Sequence, residues 1–321
     1  MSSTHRVIPI FIPEKACPYR CIYCNQFAIA GHAQIPTVSE ARRIIDQYLS
    51  TMPTEVEKRI AFFGGSFTGM PIEEQNSYLD IAQPYLEQGL VSGIQLSTRP
   101  DYITQEILDN LKAHGVTLIE LGAQSLDDDV LRKAGRGHTV KQVKESSSLI
   151  IHNGFRLGLQ MMIGLPGDTL EKSLLTAKLI HQFGASCTRI YPTLVVQNTV
   201  LARLYENGKY LPLSIEQAVE WAKQLYLFFT KHDIQILRIG LHPSEGLLSG
   251  KDYIAGPFHV SFKELVLTAL WHDQIKALVK QHNGEPFTLE VPATEINYAV
   301  GYQSANRKAF PDVDIRILPN E

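Results

Sequence analysis

An α/β fold built on a parallel sheet is what this sequence predicts, on three observations. Short apolar, β-branched runs recur at residues 7–12, 59–64, 93–97, 117–122, 157–163 and 188–194, each bounded by Gly or Pro. Amphipathic segments of helical period fill the intervals at 38–52, 71–88, 104–114, 140–153 and 170–183. Their regular alternation implies right-handed crossovers between parallel strands. Six such units can curl into a partial barrel or lie open as a doubly wound sheet, and periodicity does not choose.

Each element has a local reason. The first strand runs into Cys17-Pro18-Tyr19-Arg20-Cys21-Ile22-Tyr23-Cys24, three thiols spaced C-x3-C-x2-C. The first long helix starts after Thr37, a predicted N-cap, with Glu40 completing a T-x-x-E capping box. Gly64-Gly65-Ser66 ends the second strand, Gly122-Ala123-Gln124-Ser125 the fourth and Gly164-Leu165-Pro166-Gly167-Asp168 the fifth. Glycines at strand ends let backbone approach a ligand, although each pattern also suits a plain turn. Cys187, alone at the start of the sixth strand, reads as a small buried hydrophobe.

After residue 194 the alternation changes. Helices are expected at 199–206, 215–232 and 261–281, and strands at 234–241, 287–291 and 313–318, with breaks at 242–246 and 253–257. We place a soft boundary near His242, giving a core of residues 1–242 and a small α+β extension, 243–321, packed on it. The composition is that of an ordinary globular chain, and no apolar run approaches the ~20 residues needed to span a bilayer. The expected location is the cytoplasm, with no membrane partner. A net charge of −3 supplies no global argument for nucleic-acid binding.

Clustered cysteines without a secretory signal point to metal or redox chemistry. Three thiolates are one short of the usual complement of a four-iron cluster, which leaves one iron open to a small ligand. Zinc needs a fourth ligand, for which His32 is the candidate, at the unfamiliar spacing C-x3-C-x2-C-x7-H. Three unliganded buried cysteines is the bland alternative.

The C-x3-C-x-aromatic-C loop after a first strand resembles the signature of the radical S-adenosylmethionine (radical SAM) superfamily. That resemblance implies a partial (β/α)6 TIM-like barrel, a [4Fe–4S] cluster on Cys17, Cys21 and Cys24, and S-adenosylmethionine on the open iron. It further implies cofactor contacts from Tyr23, Gly64, Gly65 and Gly164. Gln124 and Ser125 are cofactor or substrate candidates, against a capping turn before Asp127.

Five further segments resemble the radical SAM domain of the Elongator catalytic subunit. They are Thr98-Arg99-Pro100-Asp101-Tyr102, Glu120 to Ser125, Gly135-Arg136-Gly137-His138-Thr139, Tyr191 to Val195, and Asn207-Gly208-Lys209-Tyr210. Within them Arg99, Arg136 and His138 are the catalytic candidates, as an anion fork or a proton carrier. The structural alternative pairs the arginines with Asp101, Glu120 or Asp127–Asp129. The resemblance does not extend to the acetyltransferase domain, since 243–321 shows no acetyl-CoA loop, so carboxymethylation is not implied.

The function expected is therefore a radical SAM enzyme served by a flavodoxin- or ferredoxin-type reductant, with RNA or nucleotide modification as the first substrate class. A tetrapyrrole enzyme resembling oxygen-independent coproporphyrinogen oxidase is one alternative. A non-catalytic cluster or haem carrier is the other.

Overall fold

The computed structural model describes residues 6–12, 17, 21–30 and 34–318. In chain order the strands are β1 (Arg6–Ile12), β2 (Lys58–Gly64), β3 (Ile94–Thr98), β4 (Val116–Gln124), β5 (Arg156–Ile163), β6 (Cys187–Pro192), β7 (Val195–Val196), β8 (Gln235–Ile239), β9 (Tyr253–Ala255), β10 (Phe287–Val291) and β11 (Val313–Ile317). The helices are α1 (Gln26–Ala30), α2 (Val38–Thr51), α3 (Ile72–Glu87), α4 (Gln105–Ala113), α5 (Asp128–Lys133), α6 (Val140–His152), α7 (Leu170–Gln182), α8 (Val200–Glu206), α9 (Ile215–Lys231), α10 (Glu245–Leu248), α11 (Phe262–Gln281), α12 (Ile296–Val300) and α13 (Ala305–Ala309).

Six expected strands form one parallel sheet in sequence order, and β8 adds a seventh: β1-β2-β3-β4-β5-β6-β8. The segment at 234–241 therefore belongs to the barrel sheet. Its pairing with β6 needs only one more crossover, supplied by α9. The outward residues Ile8, Ile10, Ile60, Phe62, Leu96, Leu121, Leu159 and Ile190 are buried under the helices as one apolar cluster. Thr37 caps α2 as predicted: its hydroxyl accepts the Glu40 amide, and the Glu40 carboxylate accepts the Thr37 amide.

The inward face mixes charged, polar and aromatic side chains, and one of them shows that the sheet curls. Arg189 on β6 lies 4.8 Å from the ring centroid of Phe63 on β2. In a flat sheet those strands would stand about 19 Å apart, four spacings of ~4.8 Å. Arg189 also holds Glu120 on β4 in a two-point pair, at 2.5 and 2.9 Å. Gln160 on β5 donates to the same carboxylate at 3.1 Å, and Phe11 extends the layer beside Phe63. Gly158 leaves the space, since a Cβ there would sit 2.9 Å from Glu120 Cγ. These side chains floor the half-barrel. Cys187 is core, as read, its thiol pushed up to about 12 by burial and by Glu120.

Beyond the sheet, β7 and β9 pair antiparallel past the C-terminal end of β6. The N-terminal part of α11, through Phe262 and Val266, joins the main core, and Lys223 of α9 pairs with Asp273. β10 and β11 pair in parallel over a separate cluster of Ile275, Val291, Ala299, Val313 and Ile315.

Removing one member of a buried ion pair leaves an uncompensated charge. Glu120→Ala is expected to lower the unfolding free energy by about 3–5 kcal/mol in urea titration, and the double change E120L/R189M by less. A Glu120→Ala loss no larger than that of the double variant would show that the pair does not hold the floor.

Candidate functional site

The loops at the C-terminal ends of the strands gather the residues singled out by sequence. The cysteine loop is pinned at Ile22: its amide donates to Ala134 O at 3.2 Å, and its carbonyl accepts the Leu201 amide at 2.7 Å. Cys21 is buried, Cys24 half-buried and Cys17 exposed, all as thiols. The Cys24 amide donates to Cys21 O. His32 and residues 18–20 lie outside the described residues.

Arg136 stands against the Cys21 thiol. It is buried, donates from Nη1 to Cys21 Sγ at 3.1 Å and from Nη2 to Gly122 O at 2.6 Å, and its Nε has no hydrogen-bond partner among the described residues. The pairing with Asp127–Asp129 does not occur. Asp127 is held by Lys172, Asp129 by Arg132, Lys133 and Lys172, and Asp128 accepts the Val140 amide. Glu120 belongs to Arg189 instead.

Arg99 does follow the ion-pair alternative, forking Asp101 at 2.9 and 2.7 Å. Its Nη2 also donates to Arg136 O at 2.8 Å, so Asp101, Arg99 and Arg136 form a chain ending at Cys21. His138 differs from the expected proton carrier. Burial and the Arg136 and Arg99 cations push its pKa down to about 3, leaving it neutral. Its Nε2 lies 3.3 Å from Ala123 O and its Nδ1 has no partner among the described residues.

At the end of β4, Gln124 adopts φ 65°, rare for a residue with a Cβ. The β4–β5 register shifts beside it. Its buried Oε1 has no hydrogen-bond partner among the described residues, nor does Thr193 Oγ1, and Tyr23 is buried beside Cys21. Gly122 makes this arrangement fit, since a Cβ there would be 2.9 Å from Gln124 Nε2 and 3.3 Å from Arg136 Nη2. Ser125 takes the turn alternative: its hydroxyl accepts the Asp127 amide, and Asp127 caps α5.

The Gly64-Gly65 turn is engaged internally. The Gly65 amide donates to Ile12 O at 2.8 Å and Gly64 O accepts Gln26 Nε2 at 3.1 Å, tying β2 to the cysteine loop. Gly64 sits at φ 115°, where a Cβ would be 2.6 Å from Ile12 O. Gly164, at φ 77°, donates to Asp168 and accepts the Tyr210 hydroxyl at 2.7 Å. Its loop walls a cleft of about 490 Å³ with Lys133, Lys209 and Leu213. Tyr210 and Thr193 were legible only as parts of resembling segments.

Among the described residues no three Cys, His, Asp or Glu groups converge closely enough to hold a metal. The donor chemistry nonetheless fits a cluster: three soft thiols share one loop, and a buried guanidinium stands beside one of them to offset their charge. Fold and loop together define a curled parallel half-barrel enzyme with its thiol loop after the first strand.

Residues 12–180 match the family model of the Radical SAM superfamily, and 185–272 that of the Radical_SAM C-terminal domain. The chain belongs to the radical SAM superfamily, whose members use a [4Fe–4S] cluster and S-adenosylmethionine. It is 28% identical over 244 residues to the tRNA uridine(34) acetyltransferase of Dehalococcoides mccartyi, covering 64% of this chain and 53% of that protein. It is 31% identical over 212 residues to Elongator complex protein 3 of Saccharomyces cerevisiae, covering 60% and 38%. The chain thus spans about half or less of the length of these curated relatives.

Among solved structures, the Methanocaldococcus infernus Elp3 with an N-terminal deletion shares the fold at a TM-score of 0.65, with 19% identity over 92% of this chain and 67% of that one. The Escherichia coli coproporphyrinogen III oxidase does so at 0.51, with 17% identity over 71% and 53%. No helix is long and apolar enough to cross a membrane among the described residues.

Burial pushes Asp168 up to about 6, although Gly164, Thr169 and Ser173 all donate to it. The native state therefore holds this proton longer than the unfolded chain does. The stability linked to the group is full below a pH of about 4 and is lost as pH rises through about 6. Urea unfolding across that window should show the fall, and Asp168→Asn should flatten it whatever its effect on absolute stability. An unchanged slope would show that Asp168 ionises normally.

Proposed function

We propose that this enzyme binds its [4Fe–4S] cluster through Cys17, Cys21 and Cys24, cleaves S-adenosylmethionine beside it, and acts on RNA or a nucleotide. The observation that carries the first half is the Arg136 guanidinium against Cys21, with the Gln124 side chain packed beside it and its Oε1 unpartnered among the described residues. Most buried polar groups in proteins are satisfied, so unsatisfied ones beside the thiol loop suit a polar ligand. When bound, the reduced cluster and cofactor supply a 5′-deoxyadenosyl radical, and a flavodoxin- or ferredoxin-type protein is the electron source that fits.

The chain's own residues have separable parts in this. Arg136 offsets thiolate charge and offers Nε–H to a carboxylate, Asp101 and Arg99 fix its backbone, and Gln124 presents an acceptor for an amino group or hydroxyl. His138, neutral, contributes no charge. The Gly164 loop with Tyr210 walls the neighbouring cleft, to which Lys133 and Lys209 bring positive charge. RNA as the substrate class rests on the name of one relative, a tRNA uridine(34) acetyltransferase, and its acetyl transfer is not part of the proposal.

Replacing Cys17, Cys21 or Cys24 with Ala should each abolish the iron–sulfur charge-transfer absorption after anaerobic reconstitution, and Cys187→Ala should leave it intact. Arg136→Met should keep the iron content but weaken S-adenosylmethionine binding about tenfold or more by calorimetry, since hydrogen bonds to charged groups contribute about 1.5–3 kcal/mol. Unchanged affinity would remove Arg136 from the cofactor site.

The reading as a whole is tested by 5′-deoxyadenosine release with and without cellular RNA. Stimulation by RNA is expected. Release stimulated instead by a porphyrinogen, with a Soret shift on titration, would replace RNA by the tetrapyrrole alternative. No release under reduction would leave only a cluster carrier.

A further inference from the structure

The last strand of the sheet carries a charge that the fold does not answer. β8 pairs with β6 on one side and borders no further strand of that sheet among the described residues. Along the pair Thr188 stands opposite Ile236 but Arg189 stands opposite Arg238, so Leu237 is an extra residue in β8. Without this bulge Leu237 would take the place beside Arg189. With it an arginine does, which is how bulges re-aim side chains at sheet edges. The next pair, Ile190 and Ile239, lies in the core under the helices. Successive side chains alternate between faces, so Arg238 points with Arg189 to the concave side of the half-barrel, at the C-terminal end of its strand.

Like charges on neighbouring strands repel. Arg189 is compensated, because Glu120 accepts two of its donors at 2.5 and 2.9 Å. Arg238 is not. Its Nε donates to Gly240 O at 3.0 Å. Its Nη2 lies 3.5 Å from His242 Nδ1, at the outer limit of a hydrogen bond. No acid pairs with it among the described residues, and its Nη1 has no partner there. Burial above all pushes its pKa down, Tyr191 works against this, and the Arg189 cation adds to it. A guanidinium keeps its charge nonetheless.

A half-buried cation beside a like charge costs stability unless a ligand supplies the missing negative charge. A planar fork with a free arm, facing a concave wall, suits an oxyanion. The neighbours add donors. Tyr191 follows Arg189 by two residues, shares its face and acts on both guanidinium groups. Its hydroxyl can donate to the same ligand. His242 stands exposed at the rim.

We propose that Arg238, with Tyr191 and His242 beside it, forms the subsite that holds a phosphate group of the substrate inside the half-barrel. This deepens the nucleotide reading above and rests on it for phosphate rather than carboxylate. The thiol loop follows β1, the opposite edge strand of the sheet. A nucleotide anchored at Arg238 therefore has the barrel mouth to cross toward it. A free nucleotide and an RNA strand present the same phosphate oxygens, and the test separates them.

The test uses calorimetry on the full-length reconstituted protein, with uridine 5′-monophosphate and uridine as probes. The phosphate should make the nucleotide bind at least about tenfold more tightly than the nucleoside, as hydrogen bonds to charged groups do. Arg238→Gln, which still offers a donor to Gly240 O, should remove that advantage. Arg238→Lys should restore part of it, and Tyr191→Phe should weaken nucleotide binding by a few fold. Circular dichroism checks that the variants keep the fold. A single-stranded RNA octamer that loses affinity in Arg238→Gln places the phosphate in a strand. Loss confined to the mononucleotide makes the ligand a free nucleotide.

Equal affinity for nucleotide and nucleoside, or nucleotide affinity unchanged in Arg238→Gln, would overturn the subsite. Weakened S-adenosylmethionine binding in that variant, with nucleotide affinity kept, would assign Arg238 to the cofactor and overturn it as well. The subsite and the nucleotide reading fail separately. A phosphate advantage lost in Arg238→Gln, without stimulation of 5′-deoxyadenosine release by either probe or by RNA, keeps the subsite and removes nucleotides as substrate. Stimulated release that Arg238→Gln leaves unchanged removes the subsite and keeps the reading.

Discussion

Arg189 reaching across the concave face, from its carboxylate partner on β4 to the ring of Phe63 on β2, is the contact on which the geometry of this molecule depends. A parallel sheet with helices on one face has no intrinsic reason to leave its other face polar. Here the inward positions of β4, β5 and β6 carry Glu120, Gln160 and Arg189, which satisfy one another across neighbouring strands, and Arg189 meets Phe63 on β2 only because the sheet curls. The charged floor thus closes the bottom of the half-barrel and leaves the strand C-termini as the place where loops, thiols and a ligand come together. Parallel barrels place chemistry at that end for the same reason.

A second constraint sits above the floor. Asp101 holds Arg99, Arg99 holds the backbone of Arg136, and Arg136 reaches Cys21. Three connections from three strand ends therefore converge on one thiol. Burying a guanidinium is costly unless its donors are met, and Arg136 meets two of its needs inside the protein while its Nε has no partner among the described residues. The strained Gln124 and the glycine at 122 are consistent with this, because strain and missing side chains persist where geometry is constrained by function. The same cations keep His138 neutral.

Much of this was legible in the sequence, and the limits of legibility have physical causes. The six strands and five crossover helices were readable because periodicity is local, and the Thr37–Glu40 box because capping involves residues three apart. Helices α1, α5, α12 and α13 and the β7–β9 ribbon leave no such trace, being too short to show a period. β8 reads as a strand but not as a member of the barrel sheet, since pairing is not written in either strand alone. Ser125 and Arg99 took their structural alternatives because partners two residues away were available to them.

The sequence by itself determined the α/β class, the thiol loop and the glycine turns, all of which depend on residues close together in the chain. Only the tertiary structure decided which charges meet: Arg136 with Cys21 across 115 positions, Arg189 with Glu120 across 69, and Tyr302 with His259. Electrostatics and burial act through space, and a chain of several acids and arginines admits many pairings until the sheet has curled. The curl selects one of them.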